Sequence, residues 1–219
     1  MNPLVQLREF GQSPWYDYIR RGLITSGELK ALIDQDGLMG VTSNPSIFEK
    51  AIGGSTDYNQ ALKQIASSVT SVKDIYETLA VRDIQDATDL MYPVYERSQT
   101  RDGYVSFEVS PALAYNTQGT IDEAVRLHKA VGRDNVMIKV PATPEGLPAI
   151  EYLLSQGINV NVTLLFSVEV YEQVAWAYVS GLEKLAARKG DITKTASVAS
   201  FFISRIDTLV DSLLDAKLK

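Results

Sequence analysis

Tyr104-Val105-Ser106-Phe107-Glu108-Val109-Ser110 alternates apolar and polar side chains residue by residue, and Ile158-Asn159-Val160-Asn161-Val162-Thr163 repeats the pattern further along. The two-residue period of a strand puts Val105, Phe107 and Val109 on one side and Ser106, Glu108 and Ser110 on the other. In the second segment Ile158, Val160 and Val162 oppose Asn159, Asn161 and Thr163. Between the two, Val136-Met137-Ile138-Lys139-Val140-Pro141 is an apolar run interrupted by one charge. Around these segments short β-rich runs alternate with longer helical patterns, the order of βα units about a parallel sheet. Strands are expected at 15–18, 38–42, 104–109, 136–140, 159–163 and 197–202. A two-layer sandwich would turn the polar sides to solvent, but a βα-ordered sheet has helices over its outer face, and these take the apolar side. The polar side then lines a barrel interior. The expected fold is therefore α/β, a TIM (β/α)8 barrel.

Helix starts fall between the strands. Thr25 with Glu28 and Thr120 with Glu123 have capping-box spacing, while Ser71 with Asp74 and Ser167 before Val168-Glu169-Val170 mark two longer helices. Residues 58–101 hold two helical segments, so an extra helix is inserted before the third strand. No repeat, low-complexity tract or linker divides the chain, and a single domain over residues 1–219 is expected.

Composition narrows the function. The chain has 219 residues, 45% of them hydrophobic, enough for one well-cored domain. No apolar run reaches membrane-spanning length and the N-terminus lacks the basic-then-apolar order of a signal peptide, which points to the cytoplasm. The absence of cysteine excludes thiolate metal sites and thiol nucleophiles, and one histidine cannot build a multi-histidine metal site. A net charge of -6 with a pI near 4.9 argues against nucleic-acid or anionic-membrane partners, leaving a small molecule as the expected ligand.

Lys139 shares its side of the strand with Met137 and opposes Ile138 and Val140, so it points inward with Glu108 and Asn161. A charged amine is costly to desolvate; it either snorkels to water or gives up its charge and becomes a nucleophile able to form an imine. Glu108 is either an acid/base group or the counter-charge of the lysine. Asp17, at the end of the first strand, is a second acid/base candidate or a helix cap. Asn44, in Gly40-Val41-Thr42-Ser43-Asn44-Pro45-Ser46, is held extended by the following proline; its ordinary use is as N-cap of the next helix, which does not prevent it from meeting a ligand. Arg205, with Ser200 after the sixth strand, suits a phosphate near helix N-terminal amides or a salt bridge to a carboxylate such as Asp207. Gly53-Gly54 lacks the lysine of a P-loop and reads as a helix terminator, and His128 as a surface or packing residue.

Five ordered segments together resemble the transaldolase family, and within it the longer bacterial type. They are Gly40-Val41-Thr42-Ser43-Asn44-Pro45-Ser46, Val105-Ser106-Phe107-Glu108-Val109, Ile138-Lys139-Val140-Pro141-Ala142-Thr143, Asn159-Val160-Asn161-Val162-Thr163-Leu164-Leu165-Phe166 and Ser200-Phe201-Phe202-Ile203-Ser204-Arg205-Ile206-Asp207. The resemblance implies a transferase of the pentose phosphate pathway that needs neither metal nor organic cofactor. Lys139 would form a Schiff base with a ketose phosphate, fructose 6-phosphate or sedoheptulose 7-phosphate, and pass a dihydroxyacetone unit to an aldose phosphate. Asp17 would take the C4 hydroxyl proton, while Glu108 and Thr163 would move protons through a bound water. Asn44, Asn161 and Ser200 would hold the dihydroxyacetone unit and Arg205 the acceptor phosphate.

The resemblance also has a gap. A full barrel has eight βα units in about 250 residues, whereas six are expected here, with the last two strands missing. That pattern suggests a C-terminally truncated enzyme, or a chain completed by self-association or by pairing with a missing C-terminal segment. Two alternatives to the transferase follow. One is a fructose-6-phosphate aldolase-like lyase using the same lysine; the other is a non-catalytic fragment that binds sugar phosphate or a partner chain.

Overall fold

In the computed structural model, which describes residues 2–65 and 71–218, the alternating segments become strands. These are β1 (Trp15–Tyr16), β2 (Gly40–Thr42), β3 (Tyr104–Glu108), β4 (Val136–Pro141), β5 (Val160–Leu165) and β6 (Ser197–Phe201). Their order in the sheet is the order of the chain, β1-β2-β3-β4-β5-β6. The pairings of β1 with β2, β2 with β3 and β5 with β6 are parallel. The helices are α1 (Pro3–Gln6), α2 (Arg21–Thr25), α3 (Glu28–Gln35), α4 (Pro45–Gly54), α5 (Asn59–Ile65), α6 (Val72–Arg97), α7 (Thr117–Val131), α8 (Gly146–Ser155), α9 (Val168–Ala187) and α10 (Ile203–Leu218). Successive parallel strands joined by helices have the connectivity of (β/α)8 staves, so the expected incomplete barrel topology is the observed one.

Two helix starts differ from expectation. The Thr25 hydroxyl bonds back to the Arg21 carbonyl, and α3 begins after Gly27 with no side-chain cap. Thr120 lies inside α7, which starts at Thr117; its hydroxyl goes to the Leu113 carbonyl, while Glu123 accepts the Ser110 N–H at 2.6 Å. In both cases the threonine hydroxyl donates to a local backbone carbonyl instead of accepting a helix N–H as a cap would. Ser71 and Ser167 do sit at N-caps, and the Ser167 hydroxyl accepts the Val170 N–H. α4 ends at Gly54 as the glycine pair implies. The two segments expected over 58–101 are α5 and α6, with residues 66–70 of that span outside the described residues.

The chain forms two compact units that interleave in sequence. The first comprises Met1–Glu108 and Ala124–Ile138. Its spine is α6, whose buried positions Leu79, Ala80, Asp83, Ile84, Ala87, Thr88, Met91, Val94 and Tyr95 recur at helical spacing. The stripe meets β3 through Tyr95 and Tyr104, whose rings stand edge to face at 5.4 Å. The buried Asn135 amide donates to the carbonyls of Thr88 and Gly103, both at 2.9 Å, and so ties α6 to the entry of β3. Each fully buried Ile, Leu or Phe here contributes about 1.5–3 kcal/mol.

The second unit comprises Val109–Glu123 and Lys139–Lys219. Within it α8 buries Ala149, Ile150, Leu153 and Leu154, and α9 buries Val174, Ala177, Gly181 and Leu185. The Ala142 N–H donates to the Thr163 carbonyl at 2.9 Å, joining the exit of β4 to β5. Among the described residues no helix is long and apolar enough to cross a membrane.

Candidate active site

Of the residues singled out from the sequence, Asp17, Asn44 and Glu108 lie at or just beyond the C-terminal ends of their strands, the end at which barrels of this kind carry their chemistry, whereas Lys139, Asn161, Thr163 and Ser200 lie within β4, β5 and β6. In the first unit, Asp17 follows β1 directly, Glu108 closes β3, and Asn44 stands two residues past β2. Asp17 is exposed and does not cap α2, whose N-cap is Arg20. Asn44 does cap α4: its backbone is extended and its side-chain oxygen accepts the Ile47 N–H at 2.9 Å. That leaves the amide NH2 as the end able to face a ligand. Beside it, the Ser43 hydroxyl is spent on the Ser106 carbonyl at 2.8 Å, which locks β2 to β3.

In the second unit, Lys139 is 8% exposed on a strand buried along its whole length. The polar side read from alternation is equally enclosed, with Asn161 at 2% and Thr163 at 3%. The Ser200 hydroxyl donates to the Asn161 side-chain oxygen at 2.9 Å, so these two are brought together across β5 and β6. The Thr163 hydroxyl is buried and has no hydrogen-bond partner among the described residues. A buried hydroxyl left unpaired costs about 1–3 kcal/mol, and a ligand or bound water at that atom relieves the cost. Arg205 lies in the first turn of α10, exposed, with its guanidinium 4.4 Å from the centre of the Phe202 ring. Stacking of that kind fixes the plane of the guanidinium while leaving its edge N–H groups free to point at an anion.

Local backbone geometry shapes β5. Its register against β6 shifts between Val162 and Leu165, and Leu164 within the shift has a left-handed backbone, φ 62°. A bulge there changes where the neighbouring side chains aim, and Thr163 is the residue before it.

The sequence reading passed over two features. Thr42, inside the motif quoted around Asn44, also has a buried hydroxyl without a partner among the described residues. Asp83 sits fully buried in the apolar stripe of α6, bonded to Arg21 and Tyr58. An aspartate flanked by Ala80, Ile84 and Ala87 at helical spacing was the available signal, since a buried acid requires a partner from elsewhere.

Residues 14–219 match the family described as Transaldolase/Fructose-6-phosphate aldolase. The chain is 54% identical over 218 residues to a protein named Transaldolase from Trichodesmium erythraeum (strain IMS101), a match covering 100% of this chain and 57% of the relative. It is 51% identical over 218 residues to Transaldolase 2 from Nostoc sp. (strain PCC 7120 / SAG 25.82 / UTEX 2576), again 100% of this chain and 57% of the relative. To a Transaldolase from Thiobacillus denitrificans (strain ATCC 25259 / T1) it is 49% identical over 214 residues, covering 98% and 60%. The chain thus spans less than two thirds of the length of these relatives.

Proposed function

The chain belongs to the transaldolase/fructose-6-phosphate aldolase family, and from that premise we propose that it moves a dihydroxyacetone unit between sugar phosphates through an imine on Lys139. The observation that carries this reading is the burial of Lys139, at 8% exposure, on β4, the neighbour in the sheet of β5 with its buried polar residues Asn161 and Thr163. The Lys139 amine adds to the C2 carbonyl of fructose 6-phosphate or sedoheptulose 7-phosphate and water leaves. Asp17 takes the proton of the C4 hydroxyl. The C3–C4 bond then breaks, its electron pair moves into the iminium to give an enamine, and an aldose phosphate departs. Addition of the enamine to the acceptor aldehyde, followed by hydrolysis of the new imine, returns the free lysine.

The other groups take supporting roles. Thr163, whose buried hydroxyl has no hydrogen-bond partner among the described residues, holds the water through which Glu108 moves protons during imine formation and hydrolysis. Asn161, oriented by Ser200, and the amide NH2 of Asn44 bind the hydroxyls of the dihydroxyacetone unit. Arg205 receives the acceptor phosphate. The roles of Asp17, Asn44 and Glu108 rest on the motifs that contain them. The reaction needs no cofactor and belongs to cytoplasmic pentose phosphate metabolism.

The test is borohydride reduction in the presence of fructose 6-phosphate, followed by peptide mass mapping. A reduced adduct on Lys139, abolished in Lys139→Arg, is the expected result; an unmodified Lys139 sinks the reading. The family description also covers a lyase that releases free dihydroxyacetone. Supplying an aldose phosphate acceptor separates the two, because only the transferase then forms a new ketose phosphate.

A further inference from the structure

Asp83 is the one acidic residue among the buried side chains of the described residues, and its bonds lead back to the turn that follows Asp17. α2 starts badly by its own means: its N-cap, Arg20, is extended and provides no side-chain acceptor for the first N–H groups of the helix. Those donors are met from far along the chain. The Arg21 N–H donates to the Tyr58 hydroxyl at 3.1 Å, and the Gly22 N–H donates to Oδ2 of Asp57 at 3.0 Å. The Tyr58 hydroxyl in turn donates to Oδ2 of Asp83 at 2.7 Å. The Arg21 guanidinium closes the circuit, with Nε 2.8 Å from Oδ1 of Asp83 and Cζ 4.7 Å from the centre of the Tyr58 ring.

Two further details fit a built anchor. A Cβ on Gly22 would lie 2.4 Å from Oδ2 of Asp57, so only glycine lets that carboxylate reach the helix start. Burial, reinforced by the neighbouring Asp83 carboxylate, holds the Tyr58 phenol well above its usual ionisation range, so it remains a donor. Asp17 is therefore clamped from both sides. Before it, Trp15 and Tyr16 pair with Gly40 and Val41; after it come the fully buried Ile19 and the anchored Arg21 and Gly22.

We propose that Asp57, Tyr58 and Asp83 are positioning residues that hold the β1–α2 turn, and with it the Asp17 carboxylate, in place for carbon–carbon cleavage; the inference rests on the cleavage role given to Asp17 above. Imine formation at Lys139 does not call on Asp17, whereas breaking the C3–C4 bond does. Loosening the anchor should therefore separate the two steps. A general loss of structure would slow both.

Two measurements on Asp57→Ala and Tyr58→Phe test this. The first is hydrogen exchange over the peptide from Trp15 to Ile24. Losing an anchoring bond should speed exchange of its amides by roughly tenfold, with peptides of α8 and α9 unchanged. The second is the mass of the borohydride adduct. The variants should accumulate the intact six-carbon adduct at the unaltered trapping rate, with kcat lowered by roughly tenfold and KM little changed, where the parent yields the three-carbon adduct. Unchanged exchange in that peptide overturns the proposal, as does an equal slowing of trapping and cleavage in a folded variant. If Tyr58→Phe fails to fold, Asp57→Ala decides, since Asp57 lies at the rim of the cluster. If the parent traps no sugar, the functional reading fails, and hydrogen exchange alone still decides whether these residues hold the turn.

Discussion

The Ser200 hydroxyl on β6 donates to the side-chain oxygen of Asn161 on β5 at 2.9 Å, a bond that favours one of the two orientations of the Asn161 amide. With its oxygen accepting from Ser200, the amide cannot flip without losing that bond. Ser200→Ala removes the donor and frees the amide to rotate. We expect a loss of about 1 kcal/mol in urea unfolding, together with a KM for the ketose phosphate raised several-fold and a nearly constant trapping maximum. A drop in the maximum with KM unchanged would show that Ser200 acts on the reaction itself and not through Asn161.

Leu164 carries a cost in its backbone. A leucine at φ 62° sits in a region that penalises residues bearing a Cβ by about 1–2 kcal/mol, and a β-branched side chain fares worse there. Its side chain is substantially exposed, so packing does not govern the choice of residue. Leu164→Asn should retain or raise the melting temperature, whereas Leu164→Val should lower it and slow trapping by disturbing Thr163. If the valine variant melts at or above the parent, the left-handed backbone is not what shapes the bulge.

The alternation in β3 and β5 made the sheet and the buried polar side legible, because a two-residue period requires no distant partner to be read. Asn161 and Thr163 stood out for that reason, Lys139 because it is the one charge in the apolar run of β4, and all three are buried. The residues missed are those whose meaning comes from far along the chain. Asp83 bonds to Tyr58 and Arg21, at separations of 25 and 62 residues, and no local pattern names such partners. The failed capping boxes have the opposite cause. Thr25 and Thr120 satisfied the spacing rule, but their hydroxyls took local carbonyls instead. Strand ends were misjudged where side-chain pattern and pairing part company: Asp17 and Tyr18 continue the pattern of β1 but not its ladder, and β5 runs on through its bulge to Leu165.

Gly146 controls the exit of the lysine strand. It opens α8, and a Cβ there would lie 2.0 Å from the Pro141 carbonyl oxygen, a backbone atom two residues after Lys139. A flexible side chain could move aside, but a strand-end carbonyl cannot do so without carrying β4 with it. Gly146→Ala should therefore lower stability by about 2 kcal/mol, within the usual range for overpacking, and slow imine formation at Lys139. Differential scanning calorimetry and timed borohydride trapping check the two effects. An alanine variant with parental melting and trapping would mean that the turn after β4 has room the structure does not show.

His128, the single histidine of the chain, gives the protein a stability that depends on mild acid. It lies half-buried on α7, and desolvation lowers its pKa below the usual 6.5 against a weaker upward pull from Asp134. The sign follows from proton counting. In the unfolded chain His128 takes up a proton as the pH falls through about 6.5, while the folded protein resists until the pH is lower still. Over that window the unfolded state holds more protons, so stability falls as the solution is acidified, and the loss levels off below the folded value. His128→Gln removes the titrating group and keeps a polar side chain of similar reach. Urea midpoints measured between about pH 7 and pH 5 should decline for the parent and flatten for the variant, once the common slope from the carboxylates is subtracted. An equal decline in both would assign the acid sensitivity to those carboxylates and leave His128 without a part in it.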